Sequence, residues 1–376
     1  MSPSDDDDED PKLPHDVAVE VLKRLPAGSL LRCRCVCRSW RSAIDDPRFV
    51  GLHLTHSAQD ASSWYLVSLD WYHRLCSLFP DEYLTLPSQS QIEIPFAAPP
   101  IGHGIVGSCN GLICVAETSG NGYGRWMYLW NVFTRKHKAV RRTGPGHQFF
   151  PLGTAYEVLG FGFDARSRDY TIVRILYFLD DNRRCFGGRK PRVEIYSLST
   201  DSWRSLECEV PAFCANRPAV FLNGNLHWPS FKHDDGGYRS IVSFDVAGEV
   251  FDEMALPEEI FHQDNGSLMV SAAVLNDLLA VFVSFINAGV DPELHSVCSV
   301  WVMREYGVPK SWTKLYAFEA CGLVSGFDGF TRNGELLMDI DDEERVSWNP
   351  ITGQYANLPL STYCDLVPVV ESIVSL

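Results

Sequence analysis

Leu129-Trp130-Asn131-Val132-Phe133-Thr134-Arg135-Lys136-His137 places a tryptophan, a threonine four residues on and a histidine seven residues on around a short polar turn. The same offsets return as Tyr196, Thr200 and Trp203, as Phe244, Gly248 and Phe251, and as Trp348, Thr352 and Tyr355. A fifth copy is looser, with Trp301 and Trp312 separated by a longer turn. Each copy reads as strand, tight turn, strand, with a ring on either side of the turn. Upstream of each lies another hairpin signal: Asn110-Gly111, the turn from Asp164 to Asp169, Asn223-Gly224, Asn276-Asp277 and Asn333-Gly334. Apolar runs such as Ala219-Val220-Phe221-Leu222 and Leu226-His227-Trp228 flank these turns. Two hairpins make four strands.

Five such units between about residue 101 and residue 359 average roughly 50 residues, the period of kelch-type propeller blades and longer than that of a parallel solenoid. Further β material lies at 64–69 and 75–79 and again at 366–376. A last strand pairing with those first hairpins would complete a sixth blade and close the ring, which removes exposed strand edges. The expected fold is therefore mainly β, a six-bladed kelch-like β-propeller over 60–376 preceded by a small all-α unit. Residues 84–94 have no obvious place, so a seven-bladed ring stays open, and a pair of β-sandwiches is the plainer alternative.

The helical unit is read from spacing. Residues 1–12 form an acidic, low-complexity tail, expected to be disordered. Val17, Val21, Leu22 and Leu25 then recur at helical intervals after Pro14, with Glu20 four residues before Arg24. Pro26 and Gly28 break that helix. Ser29 is placed to cap a second one, in which Leu30, Cys33, Val36, Cys37, Trp40 and Ile44 return every three or four residues until Asp45-Asp46-Pro47. A unit of this size, 13–52, is too short to bury a core alone.

Composition narrows the function. The chain has 376 residues, 45% of them hydrophobic, enough for a sizeable core. Its net charge of −16 is unevenly spread: residues 5–10 are all acidic, whereas 11–50 hold eight Lys/Arg against four acids. A nucleic-acid binder is usually basic throughout, so no nucleic-acid partner is expected. The short basic segment points to a local acidic partner or to a solvated helix face. An acidic N-terminus is unlike a secretory signal and no run of about 18 apolar residues exists for a membrane span. The expectation is therefore cytoplasm and/or nucleus, with no membrane partner and reduced thiols. The twelve cysteines lack zinc spacing: Cys33, Cys35 and Cys37 form C-x-C-x-C, and Cys109 and Cys114 have no histidine pair to complete a site. No metal and no cofactor are expected, and the Asn265-Gly266-Ser267 sequon should be silent.

Leu13-Pro14-His15-Asp16-Val17, Val21-Leu22-Lys23-Arg24-Leu25-Pro26 and the run from Ser29 through Arg32, Arg34, Cys37 and Trp40 to Ser42 together resemble an F-box of the plant type. Gly107-Ser108-Cys109-Asn110-Gly111-Leu112-Ile113, Trp130-Asn131 with Thr134, Gly160-Phe161-Gly162-Phe163-Asp164 and Val193-Glu194-Ile195-Tyr196-Ser197-Leu198 are similar to the F-box-associated, kelch-like region of the same family. Asn223-Gly224-Asn225-Leu226-His227-Trp228 and Val370-Glu371-Ser372-Ile373-Val374 fit it too. One departure is Val132, where proline is common after Trp-Asn; Trp348-Asn349-Pro350 keeps it. The resemblance implies a non-catalytic substrate-recognition subunit of a Skp-cullin-F-box ubiquitin ligase. Its F-box would bind a Skp-type adaptor, and through it a cullin scaffold, while the propeller binds a target protein that the sequence does not name. The adaptor-binding residues it implies are Leu13, Pro14, Val17, Val21, Leu22, Leu25, Pro26, Ser29, Leu30, Leu31, Val36, Cys37 and Trp40. The physical reading agrees, because these are too many large apolar groups for so small a unit to hide. A few buried Leu and Trp side chains at about 25 cal/mol per Å2 give several kcal/mol of anchorage. A ligase-independent scaffold and a propeller enzyme are the alternatives.

Catalytic motifs are weak. Gly102-His103-Gly104-Ile105-Val106-Gly107 matches G-x-G-x-x-G but follows a Pro-rich turn and precedes a strand, so it reads as a turn without a phosphate-binding helix. Ser243-Phe244-Asp245 with Gly248 and Phe251 resembles the Asp-box of sialidase propellers with its glycine misplaced, and reads as one more blade hairpin. Two basic clusters are candidates for docking an acidic or phosphorylated segment, or are solvated loops: Arg135, Lys136, Lys138, Arg141 and Arg142, and Arg183, Arg184, Arg189, Lys190 and Arg192. Among these, Arg135, Lys136, Arg141, Arg183 and Arg184 are the target-binding candidates.

Overall fold

In every repeat the seven-residue offset places two side chains directly across a ladder: Trp130 faces His137, Tyr196 faces Trp203, Phe244 faces Phe251 and Trp348 faces Tyr355. The computed structural model describes residues 15–80, 91–96, 102–118, 126–142, 155–178, 190–211, 213, 219–232, 237–261, 268–286 and 295–376. The residue after the first ring builds the turn in three of the four copies. Asn131 Oδ1 accepts from the N–H of Phe133 and Thr134 at 3.0 and 3.1 Å, Asp245 Oδ1 from Ala247 and Gly248 at 3.0 Å each, and Asn349 Oδ1 from Ile351 and Thr352 at 2.9 and 3.1 Å. The intervening residue takes no part in these bonds, which is why Val132 and Pro350 serve equally. Five residues past the ring the chain turns left-handed, at Arg135, Asp201, Glu249 and Gly353. In the looser copy Trp312 faces Met303, and Trp301 faces Lys314, whose ammonium lies 4.8 Å from the indole centroid.

These hairpins assemble into six four-stranded antiparallel sheets, among the described residues. Five are successive blades over 102–141, 155–206, 220–255, 268–319 and 324–357. The sixth takes Asp365–Val370 as its innermost strand, paired antiparallel with Trp64–Asp70 and followed outward by Leu75–Pro80 and Gln91–Glu93. The ring thus closes on a strand from each end of the chain, with six blades. The seven-bladed and paired-sandwich alternatives fall: Gln91–Glu93 is the outer strand of the closing blade, and 84–90 lie outside the described residues. Six apolar clusters fill the six blade-to-blade interfaces, with Trp130, Tyr196, Trp228 and Phe244 fully buried among them. Gly102–Cys109 is itself an innermost strand rather than the turn expected there, bulged between Ile105 and Gly107.

The antiparallel meander sorts the connections. Hairpins joining first to second and third to fourth strands lie at one end of the ring; those joining second to third strands, and blade to blade, lie at the other. The helices sit on the first of these, here the helix face. They are α1 (His15–Leu22), α2 (Ala27–Cys33), α3 (Arg38–Ile44) and α4 (Pro47–Gln59). Two expectations are corrected. Ser29 caps nothing, because α2 begins at Ala27 directly after Pro26. The single second helix is two, broken at 34–37, where Cys37 turns extended and its Sγ accepts from Trp40 N at 3.4 Å. The Asp45-Asp46-Pro47 stop also starts α4, since Asp46 Oδ1 accepts from Arg48 N at 2.7 Å and Pro47 suits the first turn. Helical periodicity past that stop was missed because proline normally ends a helix.

Candidate functional site

The helical unit is fastened by the last residues of the chain. Leaving the innermost strand at Val370, the backbone emerges on the helix face and runs beneath the helices. Glu371 Oε1 accepts from Ala27 N at 2.8 Å with both residues buried, and Glu371 N donates to Ser63 O at 2.7 Å. Burial raises the Glu371 carboxyl above its ordinary range. Ile373 joins Leu22, Ala27, Leu30, Ile44 and Phe49 in one apolar cluster. Below, Asn131 Nδ2 donates to Ser372 O and Val374 O at 3.1 and 2.9 Å, so the same asparagine that builds a blade turn also holds the tail. Gly111 has φ +80° at its hairpin turn, and any side chain there would collide with Ser372. The helices and the ring therefore share one interlocked seam.

The expected adaptor-binding residues divide into three groups. Val17, Val21, Pro26, Val36 and Cys37 are exposed, Val36 at 68%. Leu25, Ser29, Leu31 and Trp40 are half-buried. Leu22 and Leu30 are buried inside the chain, where they pack in one cluster with Ala27, Ile44, Phe49 and Ile373 instead of facing outward as expected. Leu13 and Pro14 lie outside the described residues. Arg32, Arg38, Arg41 and Arg48 are exposed, and Arg38 and Arg41 line a shallow open depression with Ser42, Asp45, Asp46 and Pro47. Arg34 grips both oxygens of Asp45 at 2.5 and 2.9 Å and lowers that carboxyl.

The first basic cluster is dispersed by the fold. Arg135 and Lys136 stand at a third-to-fourth-strand turn on the helix face, where Lys136 Nζ donates to Ser375 Oγ at 3.1 Å. Lys138 pairs with Asp201 at 2.9 Å, Arg141 is exposed at the opposite end of its strand, and Arg142 turns inward to Glu157 at 3.0 Å. Glu157 in turn meets Arg174, which reaches Glu194 at 2.9 Å. Such a buried chain of alternating charges pairs within itself and leaves little for a ligand. Arg183, Arg184 and Arg189 lie outside the described residues, as do the 1–12 tail and the 265–267 sequon. All ten described cysteines are free, and burial pushes the Cys76 and Cys298 thiols up to about 12, which makes them poor nucleophiles. Cys37 is the opposite case: the Ser39 side chain and the Trp40 N–H lower its thiol.

The end of the ring away from the helices, the open face, carries aromatic groups that sequence reasoning passed over. Trp71 stacks on His103 at 4.9 Å, and Phe96 on Tyr128 at 4.2 Å. Tyr72 and Tyr363 meet edge to face at 6.1 Å. The signal available was Trp71-Tyr72-His73-Arg74, bulky residues in a hairpin turn where Gly, Asn or Asp is usual.

Comparison with known proteins follows the same division. The family model described as "F-box associated beta propeller domain" matches residues 72–346, and that described as "F-box domain" matches 11–50. Among curated relatives, the Arabidopsis thaliana "F-box protein At3g07870" is 27% identical, covering 92% of this chain and 87% of its own. "F-box protein CPR1" of the same plant is 28% identical over 84% of this chain and 75% of its own. "F-box/kelch-repeat protein At3g23880", also from that plant, is 26% identical over 85% and 81%.

Proposed function

This chain belongs to the F-box proteins that carry an F-box-associated β-propeller, and from that membership we propose that it is the target-recognition subunit of a Skp-cullin-F-box ubiquitin ligase. Its helices bind a Skp-type adaptor and through it a cullin scaffold, and its propeller holds the target. The subunit acts by tethering: a target held beside the conjugating enzyme meets it at high effective concentration. The observation that carries the reading is the seam at Glu371 and Ile373, which fixes the helices to one end of the ring. Val17, Val21 and Val36 then face outward, and among the described residues no helix lies over the other end. Rigid attachment gives a bound target a defined position relative to the adaptor.

The test is titration of the full chain with a Skp-type adaptor by calorimetry. Val21→Asp with Val36→Asp should abolish binding while thermal stability and β-sheet circular dichroism persist, because both side chains already face water. Absence of binding by the folded, unaltered chain overturns the proposal.

A further inference from the structure

On the open face Tyr72 and Tyr363 stand 79% and 72% exposed, from segments at opposite ends of the sequence. Rings this exposed add little to folding, yet both stand on turns fixed at several points. The Tyr363 turn is held from below by Arg345, whose guanidinium is buried between Asp339, at 2.8 Å, and Asp328, at 3.1 Å. Arg345 Nη1 donates to Ser361 O at 3.0 Å and to Cys364 O at 2.8 Å. Within the turn Tyr363 N donates to Ser361 Oγ at 3.1 Å. The Tyr72 turn is held by Asp70, which accepts from His73 N at 2.9 Å and lies 2.7 Å from His73 Nδ1, and by Trp71 Nε1 donating to Asp365 Oδ2 at 2.9 Å. Burying a guanidinium with two carboxylates carries a desolvation cost that apolar packing would avoid. What this one secures is the position of an exposed tyrosine. Large rings fixed in advance lose little entropy on contact, the property of binding hot spots.

Charge selects the partner. Thr362 Oγ1 donates to Asp342 O at 3.0 Å, which ties the tyrosine turn to Asp341-Asp342-Glu343-Glu344, four exposed acids in a row. Of the described cations, Arg345 is engaged as above and Arg74 pairs with Glu93 at 3.6 Å. Tyrosine faces attract Lys and Arg, and the acids beside them add ion pairs. We propose that Tyr72 and Tyr363, flanked by residues 341–344, dock a Lys/Arg-bearing extended segment of the target protein. This deepens the ligase reading and rests on it; it also puts recognition on an acidic surface instead of the basic clusters that the sequence offers as candidates.

The experiment uses the full chain and three fluorescein-labelled peptides of about 12 residues, an Arg/Gly/Ser sequence, its Lys counterpart and its Glu counterpart, followed by anisotropy at ~50 and ~300 mM NaCl. The Arg and Lys peptides should bind and weaken with salt, and the Glu peptide should not bind. Tyr72→Ala with Tyr363→Ala should weaken binding about tenfold without lowering the melting temperature, as should Asp342→Asn with Glu343→Gln and Glu344→Gln. Replacing the six acids at 5–10 by their amides should leave affinity unchanged. Basic-peptide binding that ignores the tyrosines, or that vanishes with the 5–10 acids, overturns the proposal. The adaptor is titrated in parallel: the tyrosine variant should bind it normally, and an adaptor that ignores the unaltered chain sinks the ligase reading without touching the peptide result.

Discussion

The propeller and the helical unit bury their side chains by opposite means. The ring supplies both walls of each of its six interfaces, so its apolar groups are spent on itself. The helices cannot do this. Their core is completed by Ile373 and a buried backbone donor by Glu371, both from the far end of the chain, and several valines remain in water. A self-sufficient ring can carry exposed residues on its loops at little cost to stability, whereas a small helical unit depends on what it is fastened to.

Truncation separates the two most strongly. Ending the chain before Asp365 removes the closing strand, exposes the edge of Trp64–Asp70 and should leave a chain that aggregates instead of giving a cooperative melt. Ending it after Val370 should keep the β-sheet circular dichroism and melting of the ring while amide exchange in α1 to α3 rises sharply. A ring that loses its cooperative melt with the second truncation would break the comparison. Within the helices, Leu30→Ala should cost about 2–5 kcal/mol by opening a cavity, but Val36→Ala should stay within about 0.5 kcal/mol, by denaturant titration. Glu371→Ala leaves the buried Ala27 N–H without its acceptor and should cost about 1–3 kcal/mol, read as faster exchange at the start of α2.

A pH slope is expected from the ring as well. His227 is buried, with Nδ1 donating to Val220 O at 3.1 Å and Nε2 accepting from the Tyr306 hydroxyl at 2.8 Å, and burial lowers its pKa from 6.5 to about 4. Between those values the unfolded chain binds a proton that the folded chain does not. Its contribution to stability is therefore present above pH 6.5 and lost as pH falls toward 4. His227→Gln should flatten that part of the stability profile; a slope unchanged by the substitution would refute the assignment.

Much of the ring was legible because its determinants are local. Asn131, Asp245 and Asn349 write their turns into three adjacent residues, and the paired rings seven apart follow from strand register. The surfaces were less legible. Leu30 and Val36 look alike in a helical repeat, yet one is buried and the other bare, since the chain breaks at 34–37 and Ile373 covers one side only. Arg142 and Arg141 are neighbours in a basic run, yet Arg142, one residue past the end of its strand, turns inward to Glu157 while Arg141 stays in water.

By itself the sequence determined the kind of blade, its period, the closing strand and the family of the helices, because hairpin turns and aromatic spacing act over fewer than ten residues. Only the tertiary structure decided which end of the ring the helices cover, which of their apolar residues stay outside, and that Tyr72 and Tyr363 meet. Those outcomes depend on contacts between residues such as Ala27 and Glu371, hundreds of positions apart, and no local pattern encodes the geometry of a closed ring.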